Sequence, residues 1–397
     1  MQYRKNNKNN DELSLLGLGC MRFPDKGLSV DEEVGVAMII KAIELGVNYF
    51  DSAYVYHRGN SEGILGKALS QGYRDKVKIA TKLPHYLVRK ASDIDRIFTT
   101  QLKRLQTDYI DYYMPHMLSD VKIWQKLVDF GFDKWLEEKK EKGIIKNFGF
   151  SFHGRYEDFV QLIDLYDWDF CQIQYNYLDI NYQAGTAGLK YVHAKKIPVI
   201  VMEPLRGGQL VNNLPKEVLT LLHESNMTPA EFGMSWLFDQ PEITLVLSGM
   251  SNEAQLIENV NLTDKYGINS LSDKQHELIE KARDIITKNI KVPCTQCRYC
   301  MPCPSGVEIP GCFISYNEKY SYRTKNPTIV YVQNTNSFGS KPGNAAKCTN
   351  CGICVAKCPQ SIDIPKELNV IRKEMETPVF KFISSVGKIV LGTRNKG

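Results

Sequence analysis

The chain has no apolar run long enough to cross a bilayer, so no helical membrane span is expected in its 397 residues. Its N-terminal stretch, MQYRKNNKNNDE, has no apolar core of the signal-peptide kind, so no secretory leader is expected there. Neither sign of charge dominates. Fifty Lys and Arg face 45 Asp and Glu for a formal net charge of +5, which gives no support to a nucleic-acid partner. No solenoid-type repeat is present. Hydrophobic residues make up 43% and charged residues 24%, which places the chain among ordinary globular proteins large enough for one big domain and a small one.

Cysteine is not scarce, and it is concentrated. Eight of the eleven cysteines lie in two runs near the C-terminus. The first, CTQCRYCMPCP, holds Cys294, Cys297, Cys300 and Cys303. The second, CTNCGICVAKCP, holds Cys348, Cys351, Cys354 and Cys358. Three thiolates at two-residue gaps can wrap a corner of an iron–sulfur cube, and the second run has the C-x2-C-x2-C-x3-C-P spacing of bacterial ferredoxins. The first run is one residue shorter before its last Cys. Zinc would be served by paired CxxC knuckles, but the third Cys of each run and the Cys-Pro endings would then have no purpose. Disulfides suit small secreted domains. Two 4Fe–4S clusters are therefore expected.

In the ferredoxin pattern the fourth Cys ligates the other cluster. That resemblance predicts one cluster on Cys294, Cys297, Cys300 and Cys358, and a second on Cys348, Cys351, Cys354 and Cys303. Cys312 is near enough in sequence to substitute, although a packed thiol is the simpler reading. Cys20 and Cys171, in apolar segments, read as buried free thiols. Exposed cluster chemistry suits a cytoplasmic, oxygen-poor setting. The 44 residues between the runs (304–347) exceed what a compact ferredoxin needs, so a mainly helical two-cluster domain is predicted.

From about Leu13 to Val260, eight short apolar runs alternate with amphipathic stretches: LSLLGLGCM, VNYFDSA, VKIATKL, YIDYYMPH, IIKNFGFSF, FCQIQYN, IPVIVMEPL and ITLVLSGM. Alternation of this kind means parallel strands with crossover helices, and eight units in about 250 residues fit a (β/α)8 TIM barrel. An open doubly wound sheet is the competitor, but GLGCM lacks the third Gly of its fingerprint. Helix starts are expected at Ser29 and Asp31, at Ser92 with Asp95, and at Thr228-Pro229. The segment LSDKQHELIEKARDIITKNI reads as a linking amphipathic helix. This divides the chain into a barrel with its linker at 1–290, a cluster domain at 291–365 and a helical tail at 366–397. The tail sequence VFKFISSVGKIVLGTRNKG reads as packed on its own domain rather than on a membrane surface.

Barrel chemistry sits at the C-terminal ends of strands. There the sequence offers Asp51 and Tyr56 in FDSAYVYH, Lys82 in IATKLP and His116 in YYMPHM. An ammonium beside a phenol favours the phenolate, a carboxylate fixes the ammonium, and a histidine orients a carbonyl oxygen. Each residue alone could be structural. Together, at successive strand ends, they suit protonation of a carbonyl oxygen.

FDSAYVY, IATKLP, DYIDYYMPH and LSGMSNEAQLIENV resemble the aldo/keto reductase superfamily, in the branch with a C-terminal ferredoxin-like module. The resemblance implies a barrel that binds NAD or NADP in extended form and acts on a small carbonyl or alcohol. It makes Tyr56 the general acid, with its pKa depressed by Lys82, Asp51 the anchor of Lys82, and His116 the carbonyl-orienting group. It gives Ser151 and Gln172 to the nicotinamide carboxamide, Pro204, Leu205 and Gly207 to the pyrophosphate, and Gly249, Ser251, Gln255 and Asn259 to the adenosine end. Three positions depart from the family pattern. Phe152, followed by His153, replaces an Asn, and Met202 replaces the aromatic that often stacks on nicotinamide. Gly249 and Gln255 replace the Lys and Arg that grip a 2′-phosphate in some branches.

A hydride carries two electrons and a cluster one, so coupling the halves needs an intermediary such as a flavin. No flavin motif is present, though Met202 leaves room for another ring. Three readings follow: a reductase with structural or regulatory clusters, a barrel wired to a ferredoxin-like redox partner through a flavin, and an electron-carrier module without catalysis. The intact tetrad favours the first two.

Overall fold

The computed structural model describes residues 1–385 apart from 27, 28, 213, 295–297, 299, 322–325, 338–341 and 359–361. They form two compact units: 1–207 with 227–279, and 208–226 with the chain from 280 onward.

In the first unit eight parallel strands close a barrel. They are β1 (Leu16–Gly19), β2 (Tyr49–Asp51), β3 (Lys78–Leu83), β4 (Ile110–Pro115), β5 (Ile145–Phe152), β6 (Phe170–Gln174), β7 (Val199–Met202) and β8 (Leu245–Ser248). Each lies inside one of the eight apolar runs. Neighbours in the barrel follow chain order, and β8 pairs with β1 through Leu247↔Gly17. The interior is filled by Tyr49, Ala80, Tyr112, Met114, Phe170, Ile200, Leu245 and Leu247. Tyr112 makes edge-to-face contacts with both Tyr49 and Phe170 at 5.1 Å. This is a packed core, not a pore.

Side chains alternate faces along a strand. The inward set therefore continues from Tyr49 to Asp51, from Ala80 to Lys82, from Met114 to His116 and from Phe170 to Gln172. The same parity sends Phe150 and Phe152 outward, where their rings meet Phe159 at 6.0 and 4.9 Å. A short antiparallel pair, Tyr3–Lys5 with Glu12–Ser14, precedes β1 and was not anticipated from the sequence. Its turn brings Asn6 and Asp11 to the Tyr112 hydroxyl, at 3.1 and 2.8 Å.

Helix starts agree with expectation at two of three places. Asp31 caps Glu32–Glu44 by accepting from the Val34 amide. Thr228 and Glu231 form a reciprocal capping box on Pro229–Phe238. The third helix begins at Ala91, and Asp93, rather than Ser92 with Asp95, accepts from the Arg89 and Lys90 amides. Asp95 faces away and accepts from the Trp135 indole at 3.0 Å.

The second unit is mainly helical. Ile309–Ser321, Pro327–Asn334 and Ile364–Met375 surround a core that includes Phe313, Tyr331, Leu368 and Ile371. Most of the described cysteines of the two runs pack against that core. Phe380 of the tail is buried there beside Tyr331, at 5.4 Å. Residues 386–397 lie outside the described residues. Among the described residues, no helix is long and apolar enough to cross a membrane.

Candidate active site

At the C-terminal end of the barrel, Lys82 is 1% exposed and its ammonium meets Asp51 Oδ1 at 2.5 Å. It also donates to the Ser52 carbonyl at 2.7 Å. The same ammonium lies 4.9 Å from the Tyr56 ring centroid. Tyr56 follows β2 in a tight turn whose next residues, His57, Arg58 and Gly59, all have positive φ. Gly59 has a second requirement: a Cβ there would come within 2.8 Å of the Arg104 guanidinium. His116, the first residue past β4, makes a T-shaped contact with Tyr56, ring centroids 5.8 Å apart. The four residues expected from three adjacent strand ends therefore meet in one place.

The electrostatics differ in one respect from expectation. Burial pushes the Tyr56 phenol up, and this outweighs the downward pull of Lys82. Tyr56 is thus a protonated acid at neutral pH, not a phenolate. Asp51 is also raised by burial, against the opposing pull of Lys82. Burial, then the charges of Lys82, His153 and His85, holds His116 well below the usual histidine range. It is therefore a neutral hydrogen-bonding ring. Cys20 and Cys171 are fully buried, and burial drives both thiols upward, which leaves them inert.

One group escaped the sequence reading, and a second was named there only as part of a departure from the family pattern. Behind Lys82, Glu62 accepts from Thr81 at 2.6 Å and from Gln101 at 2.9 Å, and Gln101 also donates to the Lys82 carbonyl. A buried Glu on an amphipathic helix carries no sequence signal. In front of Lys82, His153 takes a hydrogen bond from Gln183 at 3.3 Å, and Gln183 donates as well to Gln174. Burial and Lys82 push His153 down to about 4.

The expected cofactor positions divide. Gln172 Oε1 is buried without a partner, while its amide nitrogen reaches the Met202 sulfur at 3.5 Å. Ser151 Oγ accepts from the Met117 amide and keeps its own proton to donate. An acceptor and a donor side by side on β5 and β6 fit a carboxamide. Phe152 takes no part, because strand parity turns it outward. Pro204, Leu205 and Gly207 follow β7, and Gly249 follows β8. The Ser251 hydroxyl donates to the Arg22 carbonyl and its amide to Gln255 Oε1. Asn259 is spent internally, donating to Ser248 Oγ at 3.0 Å.

In the second unit, Cys354 lies among Cys348, Cys303 and Cys351, whose charges add to burial in raising its thiol. Ser305 and Thr349 are hydrogen-bonded at 2.9 Å, which ties the end of the first run to the start of the second. Left-handed residues at Asn350 and Gly352 coil the second run between its cysteines. Seven of the eight expected ligands are described, and Cys297 lies outside the described residues. Cys312 is buried against the Tyr331 hydroxyl and the Gly343 carbonyl, both at 3.7 Å.

Two family profiles match the chain: the aldo/keto reductase family over residues 15–284 and a 4Fe-4S dicluster domain over 293–363. An uncharacterised oxidoreductase of Bacillus subtilis, YqkF, is 25% identical over 298 residues, which is 66% of this chain and 90% of that protein. The NADH-specific methylglyoxal reductase of Escherichia coli is 25% identical over 306 residues, 64% of this chain and 92% of the relative. Among solved structures, the holo form of aldo-keto reductase AKR11C1 from Bacillus halodurans superposes with a TM-score of 0.60 at 25% identity, covering 71% of this chain and 96% of that one. An aldo/keto reductase from Klebsiella pneumoniae, solved with NADP and acetate, has the same fold, with a TM-score of 0.58 at 21% identity, and covers 71% and 95%. The chain therefore belongs to the aldo/keto reductase family, as an oxidoreductase barrel that carries a 4Fe–4S dicluster domain.

Proposed function

We propose that the barrel is an NAD(P)H-linked reductase of small carbonyl compounds, with Tyr56 as the proton donor. The observation that carries this reading is the convergence of a protonated Tyr56, the Lys82–Asp51 pair and a neutral His116 at one barrel mouth. When bound, NAD(P)H supplies the hydride to the carbonyl carbon. Gln172 and Ser151 hold the carboxamide, with Pro204, Leu205 and Gly207 along the pyrophosphate and Gly249, Ser251 and Gln255 toward the adenosine. His116 donates a hydrogen bond to the substrate oxygen and orients it. Tyr56 gives that oxygen its hydroxyl proton. Lys82 stabilises the phenolate left behind, and Asp51 keeps the ammonium charged and in place. The methylglyoxal activity named for the Escherichia coli relative supports small aldehydes and ketones as first substrates to assay.

The dicluster domain supplies single-electron chemistry or structural support when loaded. The grouping of Cys303 with the second run supports cross-ligation: Cys348, Cys351, Cys354 and Cys303 for one cluster, and Cys294, Cys297, Cys300 and Cys358 for the other.

Tyr56→Phe tests the assignment. It should lower carbonyl reduction by at least about a hundredfold while NAD(P)H binding and iron content stay at wild-type level. Turnover retained in that variant would remove Tyr56 from the mechanism.

A further inference from the structure

Three adjacent strands, β7, β8 and β1, end in turns that share one arginine. Arg22 lies in the turn after β1. Its stem runs over Gly249, in the turn after β8, so closely that a Cβ there would come within 2.5 Å of Arg22 Cγ. Its guanidinium then reaches Gly207, after β7, where a Cβ would come within 2.7 Å of Nη2. Gly207 also has φ +63, so its backbone and its space both favour glycine. Two glycines on separate loops leave an exposed arginine its path across the barrel rim.

The guanidinium itself is not consumed. Ser251 binds only the Arg22 backbone carbonyl. Among the described residues, no hydrogen-bond acceptor or carboxylate contacts the guanidinium, although the charge of Glu203 acts on it from further away. The contrast is Arg206 in the same β7 loop, which is tied to Asp179 at 3.1 Å. A guanidinium offers five N–H donors in a planar fork that suits phosphate oxygens. The loops after strands seven and eight are a frequent phosphate site in barrels of this kind.

We propose that Arg22 grips the pyrophosphate of the dinucleotide, a role that rests on the NAD(P)H reading above. The placement distinguishes the pyrophosphate from a ribose 2′-phosphate. Only the aliphatic stem passes Gly249, whereas the charge lies at Gly207, beside the loop assigned to the pyrophosphate. An arginine from the β1 turn would then add its charge to the loop after β7. It would serve NADH and NADPH alike, because both carry that group.

The test is anaerobic calorimetric titration of the full-length, cluster-loaded protein with NADH and with NADPH. Arg22→Ala should weaken both by a similar factor of about tenfold or more, the loss expected for a charge-assisted contact. Arg22→Lys should recover part of the loss, because it restores charge without the fork. Arg22→Gln keeps most of the stem over Gly249 and separates lost charge from lost packing; it should bind like the alanine variant. Thermal midpoint and iron content should match wild type in all three. Unchanged affinity in Arg22→Ala overturns the proposal, and so does a loss confined to NADPH, which would move the arginine to a 2′-phosphate. A wild-type protein that binds neither cofactor overturns the reductase reading as well.

Discussion

Lys82 Nζ and Asp51 Oδ1 stand 2.5 Å apart, both almost sealed from water. Two strands set this distance. Asp51 ends β2, Lys82 lies on β3, and the β2–β3 register pairs Asp51 with Ala80, two residues before Lys82 on the same inward face. Buried ions of opposite charge depend on each other: removing one strands the other in a medium that penalises it.

Asp51→Asn should therefore cost stability as well as rate. The expected loss is about 3–5 kcal/mol, the range for breaking a buried pair from one side. Anaerobic thermal unfolding at pH 7 reads it. A midpoint within a degree of wild type would mean that the ammonium finds solvent or another partner. Carbonyl reduction should fall too, because an unanchored Lys82 loses charge and position.

Acid should destabilise the barrel through its histidines. His153 is held at about 4 and His116 well below 6.5, so both are neutral when folded. Unfolded, each would take up a proton near pH 6.5. The unfolded chain then binds more protons between roughly pH 6.5 and 4, and linkage requires stability to fall as pH drops through that window. Midpoints measured from pH 7.5 to 4.5 should decline, and His153→Gln should flatten part of the slope. An unchanged slope in that variant would assign the acid sensitivity elsewhere.

Cys303 should belong to the second run's cluster although it ends the first run. Cys303→Ser should damage the cluster held by Cys348, Cys351 and Cys354 and leave the other intact. Electron paramagnetic resonance of the reduced protein, beside iron analysis of a wild type with about eight irons, distinguishes the two. Loss confined to the other cluster would reverse the ligand pairing.

Much of this was legible in the sequence, because the signals are local. Strand runs of seven to nine residues announce themselves through composition, and all eight barrel strands lie inside runs picked out that way. The two cysteine runs carry their chemistry in their spacing. The tetrad could be found because strand ends are recognisable and barrel chemistry gathers there. Phe152 shows where residue matching reaches its limit. It stands where the family pattern has an Asn, and strand parity turns it into the outer layer against Phe159.

What only the tertiary structure decided depends on contacts distant in sequence and on burial. No pattern places Arg22 over Gly207 and Gly249, far along the chain, or sets Glu62 behind Lys82 through Gln101. Nor could the sequence show that Asn259 spends its amide on Ser248. The Tyr56 phenol makes the same point in energy. The sequence predicts a lysine near it that would lower its pKa. Only the folded barrel shows that desolvation outweighs that pull, because the strength of each depends on how completely water is excluded. The chain by itself determined which chemical groups are present and in what local order. The fold decided which of them meet, which face outward, and how far each is removed from water.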